Sequence, residues 1–173
     1  LPALLALAAF AAPAAAQPAL PFADAAVRAV QFIDKDEGWA VGDDGVVWHS
    51  MDGGTTWERQ KTGVRASLRA VHFVNPYHGW AVGRADDPNG VSAGVMLKTT
   101  DGGLSWEEVG VNVLPGLHAV RFANELTGFV CGDGSDAFPS GMFQTADGGK
   151  TWKPVAGPRA AGWRAADVDS GGA

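Results

Sequence analysis

Short stretches in which apolar and polar residues alternate follow one another along the chain and predict β-strands. One stretch has the form Val-Arg-Ala-Val-x-Phe, as at Val27–Phe32, and the next has the form Gly-Trp-Ala-Val-Gly, as at Gly38–Gly42. Two more short stretches follow, separated by a turn that is rich in glycine. We name these four predicted strands A, B, C and D, in the order in which they occur.

The same four strands recur three times, so an internal repeat organises the chain. Strand C is predicted to end just before the glycine-rich turn, and strand D to start at the tryptophan that follows it. The copies of strand A are predicted at 27–32, 68–73 and 117–122, and those of strand B at 38–42, 79–83 and 128–132. The copies of strand C are predicted at Val46–Ser50, Val95–Thr99 and Met142–Thr145. A fourth copy of strand A is predicted at 163–168.

Each turn between strands C and D has the pattern Ser/Thr-x-Asp-Gly-Gly-x-Ser/Thr-Trp. The glycines can adopt the positive φ that a tight hairpin requires. The Asp carboxylate and the hydroxyls can bond the backbone of the same turn, and the tryptophan can cover it. We therefore assign a structural role to Ser50, Asp52, Gly54, Thr56 and Trp57, to Thr99, Asp101, Gly103, Ser105 and Trp106, and to Thr145, Asp147, Gly149, Thr151 and Trp152.

Four-stranded antiparallel units that repeat about every 40–50 residues predict a β-propeller, an all-β fold in which each unit is one blade. The expected blades cover about 27–60, 68–109 and 117–155, and 163–168 is expected to be the first strand of a fourth blade. A closed ring needs at least four blades. We therefore expect this sequence to be a fragment of a longer propeller.

The first residues, 1–16, are expected to be part of a secretory signal peptide. Leu4–Ala12 is apolar but too short for a membrane span of about 20 residues, and the alanines at 14–16 fit a cleavage site. No Met and no basic segment precede this stretch, so we expect the sequence to begin inside the peptide. The alternative is an alanine-rich buried helix. Residues 17–26 are expected to be a linker, and the protein to be periplasmic, lumenal or extracellular.

Composition excludes several classes of function. The chain has 13 Lys and Arg against 19 Asp and Glu, a net charge of −6, which excludes a strongly basic nucleic-acid-binding protein. The single cysteine, Cys131, allows neither an intrachain disulfide nor a CxxC site. The four histidines have no metal-ligand spacing. No catalytic residue, metal or cofactor is predicted, and no transmembrane segment is expected.

The turn pattern is similar to the Asp-box, or bacterial neuraminidase repeat. Together with the Gly-Trp-Ala-Val-Gly strand, it makes the chain resemble the photosystem II stability and assembly factor family over about residues 27–168. The resemblance implies a seven-bladed propeller. It also implies a scaffold that binds protein or peptide rather than an enzyme, since photosynthetic members help newly made reaction-centre protein to assemble. We expect the full-length protein to be monomeric.

Asp-boxes also occur in sialidases, so a sialidase-type glycoside hydrolase is the alternative function. Sialidases use three arginines, a Tyr–Glu pair and an acidic proton donor. The only tyrosine, Tyr77, falls between strands A and B, on the Asp-box face and thus opposite the face that sialidases use. Under this alternative, some catalytic residues would lie outside the sequence.

Basic residues occupy the second position of strand A in every copy: Arg28, Arg69, His118 and Arg164. Strand A is innermost in a propeller, so these side chains are expected at the mouth of the central channel, with Arg65 and Arg84 on connections at the same face. Basic groups in an acidic protein suggest an anionic partner, such as an acidic peptide. The alternative is that each one pairs with an acidic neighbour in its own or the next blade.

The connections between strands B and C differ in length from copy to copy. The first is minimal, the second is long and the third is intermediate, at Asp43–Gly45, Arg84–Gly94 and Asp133–Gly141. Variable loops on a rigid scaffold often carry function. Neutral drift of loop length explains the variation equally well.

Overall fold

The computed structural model describes Phe22 and residues 25–86, 92–110 and 114–159. In these residues the fold is all-β, with three four-stranded antiparallel sheets, as expected for a fragment of a propeller. The prediction of fold class is therefore confirmed. The predicted signal peptide at 1–16, most of the predicted linker at 17–26 and the fourth strand A at 163–168 lie outside the described residues.

Each sheet contains four strands in chain order, which correspond to strands A to D, and we call the sheets blades 1, 2 and 3. Their strands are β1 (Val27–Phe32), β2 (Gly38–Gly42), β3 (Val47–Ser50) and β4 (Glu58–Gln60); β5 (Ser67–Phe73), β6 (Gly79–Asp86), β7 (Ser92–Thr99) and β8 (Glu107–Glu108); and β9 (Leu117–Phe122), β10 (Gly128–Gly132), β11 (Met142–Thr145) and β12 (Lys153–Pro154). A short 3-10 turn, Asp43–Gly45, connects β2 to β3. Among the described helical segments, none is long and apolar enough to cross a membrane.

Two details of the strand prediction are wrong. Strand D begins one residue after the tryptophan in all three described blades, because the residue before the tryptophan still donates its N–H to the Asp of the turn. The long connection of blade 2 is also partly sheet, because Arg84 pairs with Gly94 and the ladder continues to Asp86 opposite Ser92. Strand C of this blade is therefore longer than predicted, and its loop is shorter.

A β-bulge occurs at the same position of strand A in all three blades. In blade 1 the pairing passes from Val27 opposite Gly42 to Ala29 opposite Val41, which leaves Arg28 as the extra residue. Blades 2 and 3 skip Arg69 and His118 in the same way. A bulge bends its strand and redirects the side chain of the extra residue. The recurring basic residue of strand A is thus the extra residue of the bulge in each of the three blades.

Aromatic stacking joins each blade to the next. Trp39 of blade 1 lies on Phe73 of blade 2, and Trp80 of blade 2 lies on Phe122 of blade 3, each with ring centroids 3.6 Å apart. Both indoles are fully buried, and each belongs to an apolar cluster that contains residues of two neighbouring blades. Because large buried rings contribute much of the energy of a core, these stacks fix each blade on its neighbour.

Candidate functional site

The turns of the blades lie at two opposite ends of the sheets. At the first end, the turn between strands C and D bonds the turn between strands A and B of the same blade. In blade 1 the N–H of Gly53 donates to the carbonyl of Asp36 at 2.8 Å, and in blade 2 that of Gly102 donates to Tyr77 at 3.0 Å. Blade 3 makes the same bond. We call this the Asp-box end.

The Asp-boxes build closed hydrogen-bond networks at this end. In blade 2, one carboxylate oxygen of Asp101 accepts from the hydroxyl of Thr99 at 2.8 Å and from the N–H of Ser105 at 2.9 Å. The other oxygen accepts from the hydroxyl of Ser105 at 2.5 Å. The hydroxyl of Thr99 in turn accepts from the N–H of Gly103 at 2.8 Å. The boxes of blades 1 and 3 contain the same four bonds.

These networks stabilise the ionised form of each Asp. The hydroxyl and the N–H of Ser105 lower the pKa of Asp101 to about 2, and those of Thr151 do the same for Asp147. The pKa of Asp52 is lowered by the hydroxyl and the N–H of Thr56. Each carboxylate thus bonds its own turn. In the described ranges, no three His, Cys, Asp or Glu side chains are grouped so that they could hold a metal ion.

The tryptophan of blade 2 differs from the other two. Trp57 and Trp152 donate to the carbonyls of Gly54 and Gly149 in their own boxes, at 2.9 and 3.0 Å. Trp106 instead donates to the amide oxygen of Gln60 in blade 1 at 3.1 Å. Gln60 also donates to the carbonyl of Gly102 at 3.0 Å. This glutamine links two blades, and the sequence analysis did not identify it, since it has no place in the box pattern.

At the opposite end, the connection after strand B bonds the segment that leads into strand A. The N–H of Asp43 donates to the carbonyl of Ala26 at 3.0 Å, and that of Asp133 donates to Gly116 at 2.8 Å. The bulge of every strand A lies at this end, because each bulge is opposite the last residues of strand B. We call this the basic end.

Arg28 is bound by a carboxylate of its own blade. Its Nε and Nη2 donate to the two oxygens of Asp43 at 3.0 and 2.7 Å, and its side chain is half exposed. Asp43 also accepts from the hydroxyl of Ser67 in blade 2 at 2.7 Å. The pKa of Asp43 is lowered first by the hydrogen bonds from Arg28, then by that from Ser67, with a smaller contribution from the charge of Arg69. In blade 1, then, the basic residue has the acidic partner that the alternative interpretation expects.

Arg69 and His118, at the same position of blades 2 and 3, bond to each other. Nη1 of Arg69 lies 2.8 Å from Nδ1 of His118, and Nε2 of His118 lies 2.7 Å from a carboxylate oxygen of Asp133. Arg84 approaches the other oxygen of Asp133 at 4.0 Å. The structure thus brings Arg69, Arg84 and His118 together around one carboxylate.

The residue that follows the second glycine of the strand B motif accounts for this difference between the blades. It is Asp43 in blade 1 and Asp133 in blade 3, but Arg84 in blade 2. In blades 1 and 3 it bonds the bulge residue of its own blade. Blade 2 has a cation where the others have an anion, so Arg69 bonds the histidine of the next blade instead. The sequence contains this signal directly after the second glycine of each strand B motif, at Gly42, Gly83 and Gly132.

A cleft runs between the A strands, starting at the basic end. The polar side chains on its lining are Gln31, Arg69, His72, His118 and Arg121, and no carboxylate is found among the described lining residues. Gln31 donates to the carbonyl of Phe73 at 3.1 Å and accepts from its N–H at 2.7 Å. Gln31, His72 and Arg121 form a second polar row three residues after the bulge, which the sequence analysis missed.

The other predicted residues lie apart from this cleft or outside the described structure. Arg65 is exposed on the segment before β5. Arg164 lies outside the described residues. Cys131 is buried in strand B, and burial raises the pKa of its thiol. Tyr77 is 64% exposed at the Asp-box end, away from the basic residues.

Comparisons with known proteins give the family context. Residues 14–119 match the family model described as "Photosynthesis system II assembly factor YCF48". The chain is similar to the structure of YCF48 bound to D1 peptide, with a TM-score of 0.61 and 28% identity, covering 78% of this chain and 40% of that one. It is also similar to YCF48 from Cyanidioschyzon merolae, with a TM-score of 0.59 and 25% identity over the same shares.

A third structural match shows a shared fold alone. An ancestral GH74 enzyme superposes with a TM-score of 0.58 at 19% identity, covering 76% of this chain and 18% of that one. No curated protein matches the chain. The chain spans 40% of the length of the two YCF48 structures that it matches.

Proposed function

Since the chain belongs to the photosystem II assembly factor YCF48 family, we propose that it is part of a non-enzymatic scaffold that binds an acidic peptide segment of a partner protein at the basic end. The bulge residues Arg28, Arg69 and His118, together with Arg84, are the proposed contacts among the described residues. Arg65 and Arg164 are further proposed contacts. The export predicted from residues 1–16 is also part of this proposal and places the encounter outside the cytoplasm.

The observation that carries the proposal is the imbalance of charge at the basic end. Three guanidinium groups, those of Arg28, Arg69 and Arg84, lie there together with His118. The two carboxylates at this end, Asp43 and Asp133, bond or approach Arg28, Arg84 and His118 directly. The cleft that continues inward has His72 and Arg121 on its lining. Guanidinium groups at such a site can bind a carboxylate through two parallel hydrogen bonds.

The structure of YCF48 bound to D1 peptide supports the class of partner. That protein is a relative with 28% identity to this chain, and it binds a peptide. We infer the acidic character of the partner from the basic side chains at the basic end of this chain.

We propose a binding role rather than the sialidase-type alternative. Tyr77 lies at the Asp-box end, so it is separated from the arginines that would have to share a sialidase site with it. The likeness to the GH74 enzyme is a likeness of fold, and one fold hosts many activities.

The proposal is tested by the binding of a fluorescein-labelled peptide rich in Asp and Glu to the full-length protein, followed by fluorescence anisotropy. We expect binding that weakens steeply with salt, since exposed charges are screened beyond about 8–10 Å near physiological ionic strength. The matching peptide with Asn and Gln should bind at least about tenfold more weakly.

The site is tested with the variant Arg28→Glu/Arg69→Glu/Arg164→Glu. The matched control is Lys35→Glu/Lys150→Glu, which reverses exposed charges at the Asp-box end. Loss of peptide binding in the first variant and retention in the second supports the proposal. Equal binding by both folded variants would mean that these arginines serve only as ion-pair partners between strands.

A further inference from the structure

The hydrogen bonds around His118 define which of its ring nitrogens carries a proton. A guanidinium group has donors only, so Arg69 must donate to a lone pair on Nδ1, 2.8 Å away. Nε2 therefore carries the hydrogen and donates it to Asp133 at 2.7 Å. This arrangement requires the neutral imidazole, because the protonated ring has no acceptor.

We propose that His118 is a pH-dependent positioning residue, which holds Arg69 when neutral and releases it when protonated, so that the basic end binds an acidic peptide more tightly as the pH falls from 8 to 5. The binding part of this inference rests on the proposed function. The contact between Arg69 and His118 does not.

Protonation of His118 changes two things at once. The new hydrogen on Nδ1 points at the guanidinium group of Arg69, which has donors and no acceptor. The hydrogen bond to Arg69 is therefore lost, and two positive charges face each other. Asp133 still accepts from Nε2, so the imidazolium stays in place and the guanidinium moves. The basic end then has one more positive charge and an arginine that is free to bind a carboxylate of the peptide.

The charged groups around His118 oppose one another. Arg69 from β5 faces Nδ1, and Arg84 of β6 lies 4.0 Å from Asp133, so both disfavour a further positive charge. Asp133, which follows β10, favours it. His72 of β5 and Arg121 of β9 line the same cleft. Asp43, which interacts electrostatically with Arg69, can attract the released guanidinium.

Blade 1 lacks this device. Arg28 occupies the equivalent bulge but is held by two bonds to the carboxylate of Asp43, whose pKa is already lowered. An Asp–Arg pair of this kind keeps its charges between pH 5 and 8, whereas histidine is the side chain that ordinarily changes charge in that range. The pH dependence therefore belongs to the junction between blades 2 and 3.

The first experiment needs no partner. In full-length protein with ¹⁵N-labelled histidine and arginine, NMR spectra are recorded between pH 5 and 8. We expect Nδ1 of His118 to have the shift of an unprotonated ring nitrogen at pH 8, and the Nη hydrogens of Arg69 to exchange faster with water as that shift changes. A protonated Nδ1 at pH 8, or Arg69 signals that do not follow the titration, would overturn the inference.

The second experiment measures binding of the labelled acidic peptide between pH 5.5 and 7.5. We expect the wild-type affinity to be roughly fivefold or more higher at the lower pH, which lies within the usual range of coupling between two sites. His118→Gln preserves one acceptor for Arg69 and one donor for Asp133 but cannot titrate. Whatever its affinity at pH 7.5, its affinities at pH 5.5 and 7.5 should be nearly equal, so that most of the increase is lost. His78→Gln, at the Asp-box end, should keep it.

The outcomes separate the two proposals. A peptide that binds with the full pH dependence in His118→Gln overturns the inference and leaves the proposed function standing. A peptide that fails to bind at either pH overturns the proposed function, and the NMR experiment then still decides whether His118 holds Arg69.

Discussion

The hydrogen bonds at the Asp-box end are the same in all three described blades, whereas those at the basic end differ from blade to blade. At the Asp-box end, Asp52, Asp101 and Asp147 each accept the same bonds from their own turns. At the basic end, Arg28 bonds a carboxylate of its own blade, whereas Arg69 bonds a histidine of the next one. The difference arises at a single position, the residue after the second glycine of the strand B motif, which is Asp43, Arg84 or Asp133.

This comparison separates contacts that build a blade from contacts that distinguish one blade from another. A network that closes within one turn uses most of the bonding capacity of its polar groups for the turn itself. A network that crosses between blades depends on neighbours that differ, so it can be specific to one place in the ring. We therefore attribute stability to the Asp-box end and binding to the basic end.

The largest effect is expected from Asp101→Ala. The variant leaves turn donors without an acceptor, which should cost roughly 1–3 kcal/mol of the free energy of unfolding. Chemical denaturation of the full-length protein measures this loss, with Thr100→Ala at the variable position of the same turn as the control. Peptide binding should persist wherever the variant is folded. Lost binding with unchanged stability would contradict the division between the two ends.

Gln60→Ala should have the next largest effect. It removes the bonds to the carbonyl of Gly102 and from the indole of Trp106, at about 1 kcal/mol for each hydrogen bond, partly offset by water at this half-buried site. The same denaturation experiment checks the loss, and Lys61→Ala, at the exposed position directly after the same strand, is the comparison. If Gln60→Ala were as stable as the wild type, this link between blades would contribute nothing.

Arg84→Asp makes blade 2 resemble blades 1 and 3. The new carboxylate should capture Arg69, as Asp43 captures Arg28, and weaken peptide binding about three- to tenfold at low salt. Arg84→Ala removes the charge without adding a carboxylate, so it should weaken binding less. Anisotropy titrations of both variants test this. Equal affinities would show that a carboxylate at this position does not restrain Arg69.

The smallest effect is expected from acid. The folded pKa of Asp101 is about 2, below the usual 3.8, so its ionised form stabilises the fold. That contribution is complete above about pH 5 and is lost as the pH falls toward 2. Thermal unfolding between pH 2.5 and 7 should therefore show a shallower acid decline for Asp101→Asn than for the wild type. Glu58→Gln, on exposed β4, should follow the wild-type slope.

The blades could be predicted from the sequence because their determinants are local. The turn that bonds Asp101 spans only Thr99 to Ser105, so its chemistry is visible in one short motif. The bulge also leaves a trace, since Ala70 and Val71 are both buried and interrupt the alternation of strand A.

The partners at the basic end could not be predicted in the same way. Arg69 and His118 are 49 residues apart, and Gln60 reaches Gly102 across 42 residues. These contacts depend on how two blades pack, which no local pattern specifies. The sequence predicts basic residues at one end of the blades, because Arg28, Arg69 and His118 share one position of the repeat. Whether Arg69 would bond a carboxylate or a histidine required the structure.

The central claim is that ligand binding and structural support lie at opposite ends of the blades. The most direct test is to map backbone amide shifts of the full-length protein by NMR as the acidic peptide is added. The account predicts the largest changes around Arg69, His118 and Asp133, with little change at Gly102 and Gly148. Changes concentrated at the Asp-box glycines, with the basic end unaffected, would contradict it.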